Sequence, residues 1–189
     1  MKIALCSDLH LEFQDIDLKN TEGAEVLILS GDIMVAKDLN DRDSVNAVGE
    51  HDRSNRYHGY MQRCSTRFPH VIYIAGNHEH YHGDFAKSFG ILQEKFRHHE
   101  NLHLLDKDWF HLDGVTFIGG TLWTDMNKED PVTIQRIKGY MNDYRIIEDS
   151  SEQVHFKTPV FGRKEDGSTD FDNVVSMEFH TRNAKFSPE

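Results

Sequence analysis

Three short apolar runs mark the first half of the chain, and each stops at a polar turn. KIALCSD (2–8), EVLILSGD (25–32) and HVIYIAGN (70–77) are continuous rather than alternating. Runs of this length fit strands covered on both faces, as in a parallel sheet. The polar residues that end them then lie at the carboxyl edge, where ligands bind in open α/β sheets. DFAKSFGILQEKFRHHE (84–100) carries Phe85, Phe89, Leu92 and Phe96 at helical spacing and predicts an amphipathic helix. LHLLDK (102–107) and FHLDGVTFIGG (110–120) are apolar again, and the Asp113-Gly114 pair predicts a hairpin. The polar stretch 38–60 reads as a loop leading into a helix near 55–67, with 38–56 a solvated face. Pro131 to Arg145 reads as helical. Residues 148–173, with Pro159, Gly162 and Gly167, read as a long loop, and 174–186 as a last helix stopped by Pro188. The sum is an α/β chain with neither an internal repeat nor a low-complexity tract.

Composition narrows the class. A length of 189 residues makes room for one domain. With 38% hydrophobic and 28% charged residues, the chain suits a soluble globular protein. A formal net charge of -11 argues against a large basic surface, so nucleic acid is a possible partner that nothing indicates. Two cysteines without local spacing, Cys6 and Cys64, suggest neither a zinc ribbon nor a disulfide framework. Asp8 arrives too early for a signal-peptide core, and no apolar stretch approaches the ~18 residues of a membrane helix. The expectation is a cytoplasmic protein with no membrane partner.

The candidate chemistry lies at the three strand ends: Ser7-Asp8-Leu9-His10, Gly31-Asp32 and Gly76-Asn77-His78-Glu79. In extended chain, Asp8 and His10 point to one side and can share a metal. Gly31 lets the backbone turn sharply before Asp32, whose two oxygens can bridge two cations. Asn77 can offer an amide oxygen to the second. His78 then stands close by, free to act as an acid. These are the parts of a two-metal site, with ions about 3.5–4 Å apart, that activates water and clamps a phosphoryl group.

In this order and placement, D-x-H, G-D and G-N-H-E resemble the calcineurin-like metallophosphoesterases. TLWTDMN (121–127) and MNDYR (141–145) are similar to phage and bacterial members, and the resemblance runs along nearly the whole chain. It implies a sandwich of two mixed β-sheets flanked by helices, and metal-dependent hydrolysis of phosphate mono- or diesters. It implies metal one on Asp8, His10 and Asp32, metal two on Asp32 and Asn77, and His78 as the catalytic residue that contacts the phosphate or protonates the leaving oxygen. Manganese, iron or zinc would be the ions. Glu79 would orient its neighbours or cap a helix, while His80 and His82 would flank the site. Trp109 and Trp123 read as packing residues, and Thr121 to Asp125 as a border of the site.

Two departures accompany the resemblance. The family's second motif has Asp or Asn three residues after its Asp, and Val35 stands there. The family pattern continues with a further His and a G-H-x-H, whereas none of the thirteen histidines follows a glycine. The expectation is therefore one phosphoesterase domain over 1–189 that lacks its C-terminal part and holds about one ion. The alternative is an impaired relative that binds one metal weakly or only packs against a partner chain.

Overall fold

A computed structural model describes residues 1–39 and 50–150, with only the backbone given at 50–52. It also describes the backbone of strands at 155–159, 162–163, 169–170 and 174–178. Two compact units divide at Thr121 and Leu122.

The first unit, Met1–Thr121, is built on a parallel sheet. Strands β1 (Ile3–Cys6), β2 (Val26–Ser30), β3 (His70–Ile74) and β4 (Leu102–Leu105) lie in the order β1-β2-β3-β4, all parallel. Helix α1 (Glu50–Arg67) connects β2 to β3, and α2 (Phe85–Phe96) connects β3 to β4. The continuous apolar runs are explained by the two faces. On β2 and β3, Leu27, Leu29, Val71 and Tyr73 are buried in a core with Tyr57, Tyr60, Met61, Leu92 and Phe96 of the helices. The alternate residues Val26, Ile28 and Ile72 join Leu105 in a second core against Phe110, Leu112 and Phe117. That second layer is the hairpin β5 (Asp108–Leu112) and β6 (Val115–Gly119), which is antiparallel. Asp113 and Gly114 turn it with φ of 47° and 79°, as the Asp-Gly signal requires. Parallel and antiparallel sheets flanked by helices are thus both present. The mixing lies between sheets, because the four-stranded sheet itself is wholly parallel. β1 is less covered: Ala4 and Cys6 face the helix core, while Ile3 and Leu5 are exposed.

Helix α2 buries Ser88, Leu92 and Phe96 at a spacing of four, and its start is capped by Asp84, whose side chain accepts from Ala86 N. It ends at Phe96 rather than near residue 100. Helix α1 begins earlier than the pattern predicts. The expected solvated face over 38–56 is corrected where it is described: Asp38 and Ser54 are buried, and Asp38 accepts from Arg53 Nη1 at 3.1 Å. Residues 40–49 of that stretch lie outside the described residues. Trp109 is no packing residue, being 63% exposed.

The second unit holds the short turn α3 (Met126–Glu129), α4 (Pro131–Tyr140) and α5 (Asp143–Ile146). Asp130 caps α4, accepting from Thr133 N at 2.7 Å, and Pro131 occupies the first turn, where a missing N–H costs nothing. The stretch read as one helix to Arg145 breaks at Met141, whose ψ of 132° is extended.

Strands β7 (His155–Pro159) and β10 (Val174–Glu178) pair antiparallel, as do β8 (Gly162–Arg163) and β9 (Thr169–Asp170). The expected long loop and the expected last helix are both corrected here. Val174 and Val175 are β-branched, stiff at χ1, and suit a strand. Residues 179–186 of the expected helix, with Pro188, lie outside the described residues. Among the described residues, no helix is long and apolar enough to cross a membrane.

Candidate metal centre

The three strands of the sequence pattern are adjacent and parallel, so their carboxyl ends converge. Beyond β1, the backbone does not continue as a strand. Asp8 and His10 adopt φ of 54° and 46°, and Asp32 after β2 adopts 55°. Left-handed backbone at a non-glycine residue costs on the order of 1–3 kcal/mol each and persists only where surroundings dictate it. Here they do. Asp8 N donates to Gly31 O at 3.1 Å, His10 N to Asp32 O at 3.0 Å and Leu11 N to Ile33 O at 2.9 Å. The extended-chain argument for Asp8 and His10 is therefore corrected: these side chains converge through a strained loop laid along the next one.

Glycines make the close approach possible. Gly31 has φ 84°, and a Cβ there would lie 2.9 Å from Gly76 Cα. A Cβ on Gly76 would fall on the Asp32 carboxylate and 2.7 Å from Asp32 N.

Glu79 ties these turns together. It is fully buried. Its carboxylate accepts from Asp32 N (3.0 Å), Ile33 N (2.7 Å), Gly76 N (2.7 Å) and Tyr73 Oη (2.8 Å), with Met34 N at 3.4 Å. Burial raises the Glu79 carboxyl above the ordinary range, and the N–H and O–H donors draw it back. The Tyr73 hydroxyl is pushed well up by burial and by Glu79, so it stays a donor.

Asp8, His10 and Asp32 each bring a ligand-type atom within 4.8 Å of the others. His78 N donates to Asp32 Oδ1 at 3.0 Å, and its ring stacks on Tyr81 with centroids 4.0 Å apart. Asn77 Nδ2 donates to Tyr81 Oη at 3.3 Å. Two carboxylates and an imidazole from two loops form a donor set that suits a hard or borderline divalent cation.

A model of the calcineurin-like phosphoesterase family matches residues 1–183. The chain belongs to this family. An uncharacterized protein of Acanthamoeba polyphaga mimivirus is 28% identical over 153 residues, covering 75% of this chain and 50% of that protein. The phosphopantetheinyl hydrolase of Mycobacterium tuberculosis superposes with a TM-score of 0.49 at 14% identity, over 79% of this chain and 55% of that one. The chain thus spans about half the length of these two proteins.

Among the family's expected site residues, the fold gathers Asp8, His10 and Asp32, and bonds His78 to Asp32. Glu79 holds backbone rather than capping a helix. His80 is buried against Phe85, and burial lowers its pKa to about 4. His82 is exposed with φ 57°. Thr121 Oγ1 donates to Ala75 O at 2.5 Å, two residues before Asn77, whereas Leu122 to Asp125 belong to the second unit. Val35 is buried and apolar and brings no polar group. The residue that sequence reasoning missed is Glu12, whose Oε1 lies 3.0 Å from His78 Nδ1. The signal available was only its position two residues after His10, since the loop is not extended.

Proposed function

We propose that this chain hydrolyses phosphate mono- or diesters, with water as nucleophile and divalent ions held at the strand-end cluster. The observation that carries the reading is the convergence of Asp8, His10 and Asp32 within 4.8 Å, in a chain of this family. Asp8, His10 and Asp32 would hold one ion. Asp32 and Asn77 would hold a second more weakly, since the amide Nδ2 is engaged by Tyr81 and Oδ1 is left for the cation. Bound manganese, iron or zinc would supply positive charge for the phosphoryl oxygens and a lowered pKa for water. The other duties fall to side chains. His78, oriented by its backbone bond to Asp32 and its stacking on Tyr81, would face the phosphate and pass a proton to the leaving oxygen. Glu79 would keep the Asp32 turn rigid so that its carboxylate does not swing. The reading treats 1–189 as one phosphoesterase domain acting in the cytoplasm.

A second reading is a relative that binds one ion without turnover. It is favoured by the two-residue provision for the second ion. Calorimetric titration of the chain with manganese, and turnover of a chromogenic phosphodiester, separate the two. The expected result is about one manganese per chain, abolished by Asp8→Ala or Asp32→Ala and little changed by Asn77→Ala. Turnover is expected to depend on manganese and to vanish in Asp32→Ala. Binding without turnover selects the second reading, and no binding at all overturns both.

A further inference from the structure

Glu12 lies outside the pattern that locates the site, yet it touches two of its members at once. Its Oε1 is 3.2 Å from His10 Nδ1 and 3.0 Å from His78 Nδ1. Its side chain is only 7% exposed, so both contacts are made largely away from water. The two imidazoles meet edge to face with centroids 4.3 Å apart. The turn carrying Glu12 is pinned on every side. Leu11 is fully buried, its N–H donates to Ile33 O, and its carbonyl accepts from Arg56 Nη1 at 2.7 Å. Phe13 N closes the turn on His10 O at 3.0 Å.

His10 belongs to two groups of converging atoms: one with Asp8 and Asp32, the other with Glu12 and His78. An imidazole has two ring nitrogens, so it can serve both. A histidine that ligates a metal through one nitrogen commonly donates the other N–H to a carboxylate, which fixes its tautomer and raises its basicity. The competing use of the second group is a cation bound directly by Glu12, His10 and His78. That use would place a cation on each nitrogen of His10 and remove the proton that Nδ1 shares with Glu12.

We propose that Glu12 is a positioning residue for both histidines. One carboxylate oxygen holds the Nδ1–H of His10 and of His78 together, which turns Nε2 of His10 to the ion and Nε2 of His78 to the phosphate ester. His78 keeps its Nδ1–H on Glu12 whether or not Nε2 carries a proton. The inference rests on the phosphoesterase reading for its purpose, but the hydrogen bonds themselves can be tested without substrate.

The tautomers decide it. Long-range proton–nitrogen NMR of the metal-free chain reads which ring nitrogen carries the proton. Both rings are expected as Nδ1–H with Nε2 bare. Glu12→Gln keeps an acceptor oxygen and is expected to keep that state. Glu12→Ala is expected to move both rings toward the Nε2–H form that free histidine favours, and to weaken manganese binding about 10–100-fold. An Nε2–H tautomer in the parent, or tautomers unmoved by Glu12→Ala, overturns the proposal. Loss of manganese in Glu12→Gln as complete as in Asp32→Ala would make Glu12 a ligand and also overturn it. Should Glu12→Ala fail to fold, the parent and Glu12→Gln spectra still decide. A parent that binds no manganese but shows both Nδ1–H tautomers refutes the phosphoesterase reading and leaves the positioning intact.

Discussion

Glu79 and Glu12 are both nearly removed from water at the same sheet edge, yet Glu79 collects backbone and Glu12 collects imidazoles. Glu79 accepts from three closely placed backbone N–H groups of two separate turns and from one buried phenol. Its removal leaves those donors stranded in the interior. Glu12 instead pairs with two side-chain rings. The first carboxylate therefore holds the fold together, and the second is the one proposed to orient the imidazoles. The difference teaches how a small cluster is assembled: strained turns need an anchor of one kind, and ring orientation needs one of another.

The contrast breaks most visibly in stability. Glu79→Ala is expected to lower unfolding stability by on the order of 3–5 kcal/mol, since each buried unpaired donor costs about 1–3 kcal/mol. Glu12→Ala is expected to cost about 1 kcal/mol. Urea denaturation measures both, and equal losses would erase the distinction drawn between the two carboxylates.

His80 sharpens the comparison, because it lies next to Glu79 and is also buried. Its folded pKa of about 4 sits below the ordinary histidine value of 6.5. The unfolded chain therefore binds the extra proton first. Stability is full above pH 6.5, falls as the solution is acidified, and levels off below about pH 4. The loss across that window is expected to reach about 3 kcal/mol. His80→Gln should flatten this limb in acid-unfolding curves. An unchanged slope would mean that another group carries the acid sensitivity.

At Gly76 an effect on stability comes with a clear effect on binding. Gly76→Ala places a methyl against the carboxylate and backbone N of Asp32. Overpacking of this kind costs roughly 1–3 kcal/mol. The displaced Asp32 should lose manganese affinity while Glu79 keeps its other donors. A variant that binds like the parent would show that the two glycines do not set the position of Asp32.

The amino-acid sequence by itself determined the periodic parts and the residue types. Runs of β-branched and aliphatic residues placed β1, β2 and β3. Helical spacing placed α2, and Asp113-Gly114 placed the hairpin. Asp8, His10, Asp32, Asn77 and His78 could be read at the strand ends because short-range chemistry and strand edges coincide there. Period alone could not separate strand from helix at 174–178, where the outcome depends on pairing with His155–Pro159, far off in sequence. The parts that only tertiary structure decided are those between residues distant in the chain. Glu12 meets His78 across 66 positions, and Glu79 reaches Asp32 across 47. Left-handed backbone at Asp8, His10 and Asp32 is unfavourable locally and exists because neighbouring loops impose it. A local pattern records propensity. Bonds between loops exist only once parallel strands have set those loops side by side.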